Sequence, residues 1–486
     1  MTLDVSGAVA GWEVALPAIT ALCAAFVVML ADLAMPGTER DGVAIVGVLG
    51  LAATIAVAVS LWVSPAAMAG FHDTLRADPF ALFFAVLVSV GAAFTVLMSI
   101  DYLRDHPLAG GDYYALLLLS TCGMILMAAA NDLIVIFLAL EIMSVAIYVL
   151  AGMLRTDPRS NEAALKYFFL GAFASGFLLY GTAFLFGAAG STQLDAIARV
   201  VAKTPENPFV WLGLAFLLVG FGFKVAMVPF HGWTPDVYEG APTTITAFMA
   251  VGVKAAAFAA FARVLSVGFG GVGAAWSGVL WAVAVATMTV GNVTAISQRN
   301  VKRMLAYSSI AHAGYALVGL VAGTRDGGAA LCLYLAVYTL MNLGAFAVLI
   351  ALGRRGEPCE TLDDLAGMGW RQPLLGIAMT IFMLSLAGIP PTAGFAGKLA
   401  LFGAAVDAGY VLLVVIAVLN SVVSVYYYLG VLVQMYMVEG ERAGVAPSRR
   451  PALLATILVT MILVLVVGIA PSRFVQVATA AFASLR

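Results

Sequence analysis

Four lysines and one glutamate stand where this sequence carries almost no other charge. Lys166, Lys224, Lys254 and Lys398 fall inside long apolar runs, and Glu141 lies in the middle of another, IVIFLALEIMSVAIYVLAG. The residue type carries information. All 18 arginines fall in loops or at the ends of apolar runs, whereas four of the six lysines are internal. Arginine stays charged at any accessible pH, while burial draws a lysine towards neutrality. A group that must gain and lose a proton is therefore a lysine, whereas a static anchor can be either. Each charge at a bilayer centre costs about 2.5–3.5 kcal/mol on insertion scales. Five of them imply partners, a hydrated cavity, or both. Each also has a plainer reading. Lys166, early in NEAALKYFFLG, could snorkel to the surface, and Lys224, Lys254, Lys398 and Glu141 could form static ion pairs between helices. His312, in NVKRMLAYSSIAHAGY, titrates near neutral pH and fits either a relay or a hydrogen-bonded structural histidine. His231 reads as structural. Asn292, Asn342, Asn420, Ser421 and Ser424 could hydrate a path or join helices.

The elements that must position these residues are membrane helices. Of 486 residues, 63% are apolar and 10% charged, with a net charge of −2. Soluble domains run at roughly 45–50% apolar and about 25% charged. A soluble enzyme, a disordered chain and a nucleic-acid binder are excluded, and the lipid bilayer is the solvent for most of the surface. Apolar stretches of about 20 residues mark fourteen candidate spans. They are 12–33, 42–64, 78–100, 112–130, 133–153, 163–189, 208–228, 242–265, 274–296, 303–322, 328–352, 373–405, 408–437 and 451–470. The predicted fold is thus an all-α membrane protein of about 14 transmembrane helices, with no soluble domain. The first basic residue is Arg40, so the N-terminus does not read as a cleavable signal.

Loop charge sets the orientation. One set of alternate loops holds Arg40, Arg104, Arg155, Arg159, Arg299, Lys302, Arg303, Arg354, Arg355, Arg371, Arg442, Arg449 and Arg450. The other holds Arg76, Arg199, Lys203, Arg263, Arg325, Arg473 and Arg486. The excess on the first set predicts both termini on the outer face. Cys23, Cys122, Cys332 and Cys359 make no CxxC or Cys/His spacing, and no Walker loop or strand-linked GxGxxG occurs. No metal, nucleotide or haem site is expected in the chain.

Two helices read as discontinuous. In the seventh span Pro229 comes five residues after Lys224, followed by His231, Gly232 and Pro235. In the twelfth, LAGIPPTAGFAGK sets Pro390 and Pro391 before Lys398. Proline removes a backbone donor, and a broken helix beside a titratable residue is a transporter feature. The two breaks predict two inverted five-helix repeats, spans 4–8 and 9–13. This divides the single membrane domain into a three-helix group (1–105), a first repeat (110–267), a second repeat (272–438) and a C-terminal helix (448–486).

The runs GFGFKVAMVPFHGWTPDVYEGAPTTITAFMAVGVKAAAF, NVKRMLAYSSIAHAGY and LAGIPPTAGFAGK resemble the antiporter-like membrane subunits of proton-pumping NADH:quinone oxidoreductase, respiratory complex I. Subunits of multi-component sodium/proton antiporters share the motif and supply the alternative function. Lys398, where M-type subunits carry Glu, and an end soon after the fourteenth span make the N-type family the nearest in pattern. The resemblance implies roles in proton translocation. Glu141 and Lys224 are the coupled pair, Lys254 the central relay, Lys398 the outer-side exit residue, His312 a link between the last two, and Lys166 a lysine near the inner face. It also implies that flavin, iron–sulfur clusters and quinone belong to partner subunits. The expected partners are other membrane-arm subunits, including other antiporter-like ones, in a bacterial inner membrane with both termini periplasmic.

Overall fold

The computed structural model describes residues 11–35, 40–64, 68–106, 110–353, 358–440 and 450–485. In chain order its helices are α1 (Leu16–Ala34), α2 (Arg40–Val63), α3 (Pro79–Asp105), α4 (Gly110–Ala129), α5 (Leu133–Ala151), α6 (Pro158–Ala189), α7 (Leu194–Lys203), α8 (Pro208–Val225), α9 (Trp233–Gly240) and α10 (Thr243–Gly268). There follow α11 (Gly273–Ile296), α12 (Val301–Ala322), α13 (Arg325–Leu352), α14 (Pro373–Ala387), α15 (Ala393–Asp407), α16 (Val411–Met437), α17 (Pro451–Ile469) and α18 (Ser472–Ala483). Thirteen of the described helices are long and apolar enough to cross a membrane. The twelfth span breaks, as expected, into two fifteen-residue helices, α14 and α15. The seventh span also breaks where expected, with α8 ending at Val225 and α9 starting at Trp233.

Local chemistry sets the helix starts. Asp78, Asp157 and Asn207 each precede a proline at the first helical position and accept a backbone N–H of the first turn, from Ala81, Arg159 and Phe209. Such a cap satisfies a donor that the helix leaves free, and proline there forfeits nothing. Asp132, Asn300 and Thr324 cap α5, α12 and α13 in the same way.

Burial grades from the centre outward. α10 is buried along its whole central window, and α12 and α13 nearly so; α2, α16 and α17 bury about a third of theirs. The helices that carry Lys254 and His312, α10 and α12, are therefore among the most enclosed. α10 is not uniform: it widens into a π-helical turn at Met249–Val253, directly before Lys254, and again at Val264–Gly268, directly after Arg263. Such turns are rare and occur often at functional sites.

The structure adds elements that hydropathy did not reveal. A two-stranded hairpin, β1 (Ala69–Gly70) with β2 (Leu75–Arg76), precedes α3. The amphipathic α7 buries Leu194, Ile197 and Val201. α18 packs against α3 and α13, with Phe482 buried and Ser484 Oγ accepting from Phe80 N at 3.1 Å. Short helices with one apolar face give no long hydrophobic run to detect.

Two loop charges prove to be interior. Arg263 was expected at the outer end of its span, yet it is fully buried. It forks onto Asp78 (Nη1 to Oδ2 2.6 Å, Nη2 to Oδ1 2.8 Å) and donates to the Ala128 carbonyl. Lys302 was expected in an inner loop, yet it is 3% exposed, donating to Glu360 Oε1 and to the Ala241 carbonyl, each at 2.9 Å. Residues 358–364 fold back over the start of α12, with Val301 N donating to Glu360 O and Leu362 N to Arg299 O. That return covers a lysine which adjacency to Arg303 made look solvated. Of the other loop charges, the side chain of Arg40 and residues Arg354, Arg355, Arg442, Arg449 and Arg486 lie outside the described residues.

Candidate functional site

Lys224 lies in the last turn of α8, one residue before its end at Val225, and is 2% exposed. Its Nζ reaches α5, lying 2.8 Å from Ser144 Oγ and 3.3 Å from Tyr148 OH. The rings of Tyr167, Tyr148 and Phe223 surround it with centroids at 5.2, 5.3 and 5.6 Å, a distance at which ring faces attract a cation. Glu141, Ser144 and Tyr148 share one face of α5 by their spacing of three and seven. Glu141 is therefore one turn from the lysine's partners, but it is not in contact. Its Oε1 is buried without a hydrogen-bond partner. The expected pair is not a direct ion pair: the Lys224 ammonium meets α5 one turn beyond Glu141. Across the break, Trp233 Nε1 donates to the Phe223 carbonyl at 2.9 Å and its ring stacks on Tyr167 at 4.4 Å.

Lys254, 3% exposed, follows the first π-helical turn of α10. Its Nζ donates to the Ser309 carbonyl at 2.5 Å and contacts Ser309 Oγ, with the Tyr338 ring at 5.6 Å. Ser309 is three residues before His312 on α12. Both nitrogens of His312 are engaged: Nδ1 with Tyr334 OH at 2.6 Å and Nε2 with Tyr428 OH at 3.1 Å.

Lys398, 4% exposed, sits on α15 but serves α14. Its Nζ donates to the carbonyls of Leu386 (3.1 Å) and Ala387 (2.9 Å) and lies 2.8 Å from Ser421 Oγ. Ser421 Oγ itself donates to the Ala387 carbonyl at 3.2 Å. Gly388 closes α14 at φ +86°, and a Cβ there would stand 2.8 Å from Lys398 Cδ, so glycine makes room for the lysine stem.

The fourth lysine differs. Lys166 was expected among the interior charges, but its side chain is 40% exposed and pairs with Glu162 (2.7 Å) and Asp236 (2.6 Å). Arg303 joins Asp236 and Glu239, each at 2.8 Å, so that α6, α9 and α12 share one surface network. Lys166 lies only eight residues after the start of α6, where the aqueous face is within reach of its stem.

Among the described residues, the ammonium groups of Lys224, Lys254 and Lys398, unlike that of Lys302, meet no carboxylate within ion-pair distance. Each is held by at least one hydroxyl and a ring face, and Lys254 and Lys398 by carbonyls as well. A hydroxyl both donates and accepts. Ser144, Tyr148, Ser309 and Ser421 can accept from a charged ammonium or donate to a neutral amine. The three sites therefore stay satisfied in either protonation state, which a fixed carboxylate pair would not allow. Sequence reasoning named the lysines and His312, and Ser309 only as a neighbour of His312, but missed Tyr148, Tyr167, Tyr334 and Tyr428, which hold them. A tyrosine or serine within an apolar helix carries no signal of which neighbour it faces.

Broken helices around a line of carboxylate-free buried lysines define an antiporter-like membrane subunit. The family described as NADH:quinone oxidoreductase/Mrp antiporter, TM, matches residues 130–424. NADH-quinone oxidoreductase subunit N of Trichlorobacter lovleyi is 46% identical over 468 residues, 96% of each chain. Subunit N 1 of Herpetosiphon aurantiacus is 44% identical over 463 residues, 94% of each chain. A chain of respiratory complex I from Thermus thermophilus with bound aureothin superposes with TM-score 0.81 at 37% identity, covering 96% of this chain and 99% of that one. A chain of the Mrp complex from Dietzia sp. has TM-score 0.85 at 24% identity, with 98% of each chain covered, and shares the fold. The protein belongs to the NADH-quinone oxidoreductase subunit N family.

Proposed function

We infer that this chain is a proton-translocating membrane-arm subunit of NADH:quinone oxidoreductase, working among other antiporter-like subunits and driven by quinone reduction in its partners. Flavin, iron–sulfur clusters and quinone fall to those partners in this reading. The observation that carries it is the set of three interior lysines, each ringed by groups that serve either protonation state.

The sequence of events follows from the chemistry of each site. A change in charge near Glu141, a turn away from Ser144, alters the field at Lys224. Separated from a carboxylate and desolvated, a lysine releases its proton more readily. The proton passes to Lys254, then by His312 to Lys398 and the outer face. Moving one charge against 100 mV costs about 2.3 kcal/mol. A shift of two pKa units is worth about 2.7 kcal/mol, so modest field changes suffice. Lys166, tied to carboxylates at the surface, holds α6 to α9 at the inner face. The inverted repeats 110–267 and 272–438 each supply one broken helix, and loop charge sets both termini on the periplasmic side.

The test is to replace Glu141 by Gln or Lys224 by Met and measure protons moved per NADH oxidised by the intact reconstituted complex. A lower ratio is expected, and an unchanged ratio overturns the reading. Sodium-dependent proton exchange without NADH oxidation would point to the antiporter function instead.

A further inference from the structure

The step from His312 to Lys398 has no direct contact. The ring of Tyr315 touches both, with its centroid 4.9 Å from Lys398 Nζ and 5.7 Å from the His312 ring. A ring carries no exchangeable proton, and among the described residues the Tyr315 hydroxyl meets Asn292 Nδ2 at 2.9 Å and neither His312 nor Lys398. A proton leaving His312 must go elsewhere.

The two tyrosines on its nitrogens are not equivalent. Among the described residues Tyr334 OH contacts His312 Nδ1 and no further side chain. With that phenol as donor, Nδ1 is the acceptor and Nε2 carries the hydrogen. Nε2 faces Tyr428 OH, which also contacts Ser308 Oγ. Tyr428 lies on α16, the helix whose Ser421 Oγ stands 2.8 Å from Lys398 Nζ. Ser421, Ser424 and Tyr428 are spaced at i, i+3 and i+7, which puts them on one face. They bridge about 10 Å along the axis. Ser424 Oγ donates to the Ser421 carbonyl at 2.6 Å, and one rotamer change turns it towards its neighbours on that face.

We propose that Tyr428 and Ser421, with Ser424 between them, are the proton relay from His312 to Lys398. The inference rests on the proposed lysine path and assigns its last internal step. In the imidazolium both nitrogens carry hydrogen; the Nε2–H bond breaks as an O–H bond forms on Tyr428, leaving Nδ1–H to donate to Tyr334 OH, and the hydroxyl proton of Tyr428 passes on to Ser424 or an intervening water. Ser421 turns its O–H from the Ala387 carbonyl to the neutral Lys398 amine, where an N–H bond forms, and takes its replacement proton from the Ser424 side. Every hydroxyl ends with the one proton it began with, and one positive charge has moved from His312 to Lys398. No tyrosinate forms.

The test uses the intact complex in sealed vesicles and compares four variants by protons moved per NADH. NADH oxidation by an artificial acceptor controls for assembly. Tyr428→Phe keeps the ring and removes the hydroxyl, Ser421→Ala removes the hydroxyl at Lys398, Tyr334→Phe removes the side branch, and Lys254→Met blocks the path upstream. The ratio is expected to fall in Tyr428→Phe and Ser421→Ala to the level of Lys254→Met, while Tyr334→Phe keeps more than half of the difference. If Lys254→Met falls but Tyr428→Phe and Ser421→Ala pump normally, the relay is wrong and the lysine path stands. If Lys254→Met pumps normally, the path itself fails and the relay with it. Equal losses in Tyr334→Phe and Tyr428→Phe mark a packing role and overturn the relay. Should Tyr428→Phe fail to assemble, Ser421→Ala decides alone.

Discussion

Replacing Asp78 with asparagine strands a guanidinium that is completely enclosed. Arg263 makes four hydrogen bonds, two to the Asp78 carboxylate at 2.6 and 2.8 Å and two to the Ala128 carbonyl at 3.0 and 3.2 Å. Asp78 also caps α3 by accepting from Ala81 N at 2.8 Å. Asparagine preserves that cap and one acceptor but removes the counter-charge, so the change reports on the ion pair rather than on the helix start. Removing one partner of a buried pair costs about 3–5 kcal/mol, because the other charge stays buried and uncompensated. At about 1.4 kcal/mol per power of ten, the folded state loses two to nearly four powers of ten. The pair ties α3 to the central α10, and Arg263 stands nine residues from Lys254, about 13 Å along the axis. The assay is the thermal midpoint of the solubilised complex together with the amount of chain in the membrane, and both are expected to fall. A double replacement, Asp78→Leu with Arg263→Met, is expected to recover most of the loss, since apolar pairs of similar volume substitute well for buried ion pairs. Asp78→Asn within about 0.5 kcal/mol of the unmutated protein, the range of surface changes, would refute the argument, as would a double variant no better than the single one.

Two further outcomes follow from the geometry. Gly388→Ala puts a side chain in the left-handed region, at about 1–2 kcal/mol, and drives its Cβ into the Lys398 stem; protons per NADH should drop with only modest loss of assembled complex, and normal pumping would contradict the part given to the Lys398 cap. Lys302→Met strips Glu360 of its buried partner, whereas Lys166→Met breaks surface pairs worth at most about 1 kcal/mol. Membrane levels should fall clearly in the first and little in the second, and equal effects would count against the burial assigned to Lys302.

How much of this was legible depends on the kind of signal. The spans, both breaks and the interior lysines were readable because a charge or a proline within twenty apolar residues is costly and hence conspicuous. Lys166 took the plainer of its two readings, an exposed lysine early in its helix paired with Glu162 and Asp236, since run length alone does not say which side chains are enclosed. Arg263 and Lys302 did mislead: each sits near a span end, where hydropathy expects an anchor, and each is covered by residues far away in sequence, Asp78 and Glu360. Glu141 and Lys224 were read as a coupled pair, and α5 offers Ser144 and Tyr148 to the lysine directly. Two turns of helix, invisible to a motif, decide between direct pairing and action at a distance.

The caps on the two broken helices have a consequence for timing. The carbonyl end of α8 is held by the Trp233 indole, which has one hydrogen and no lone pair to offer. That of α14 is held by Lys398, whose three hydrogens are matched to two carbonyls and one hydroxyl. After losing a proton the amine still has two hydrogens for Leu386 and Ala387, and its lone pair faces Ser421. Only the direction of one O–H bond has to reverse. Side-chain rotor motions belong to picoseconds and nanoseconds, whereas sliding helices take microseconds to milliseconds. At this junction a change of protonation asks for a hydroxyl rotation and for no movement of the backbone.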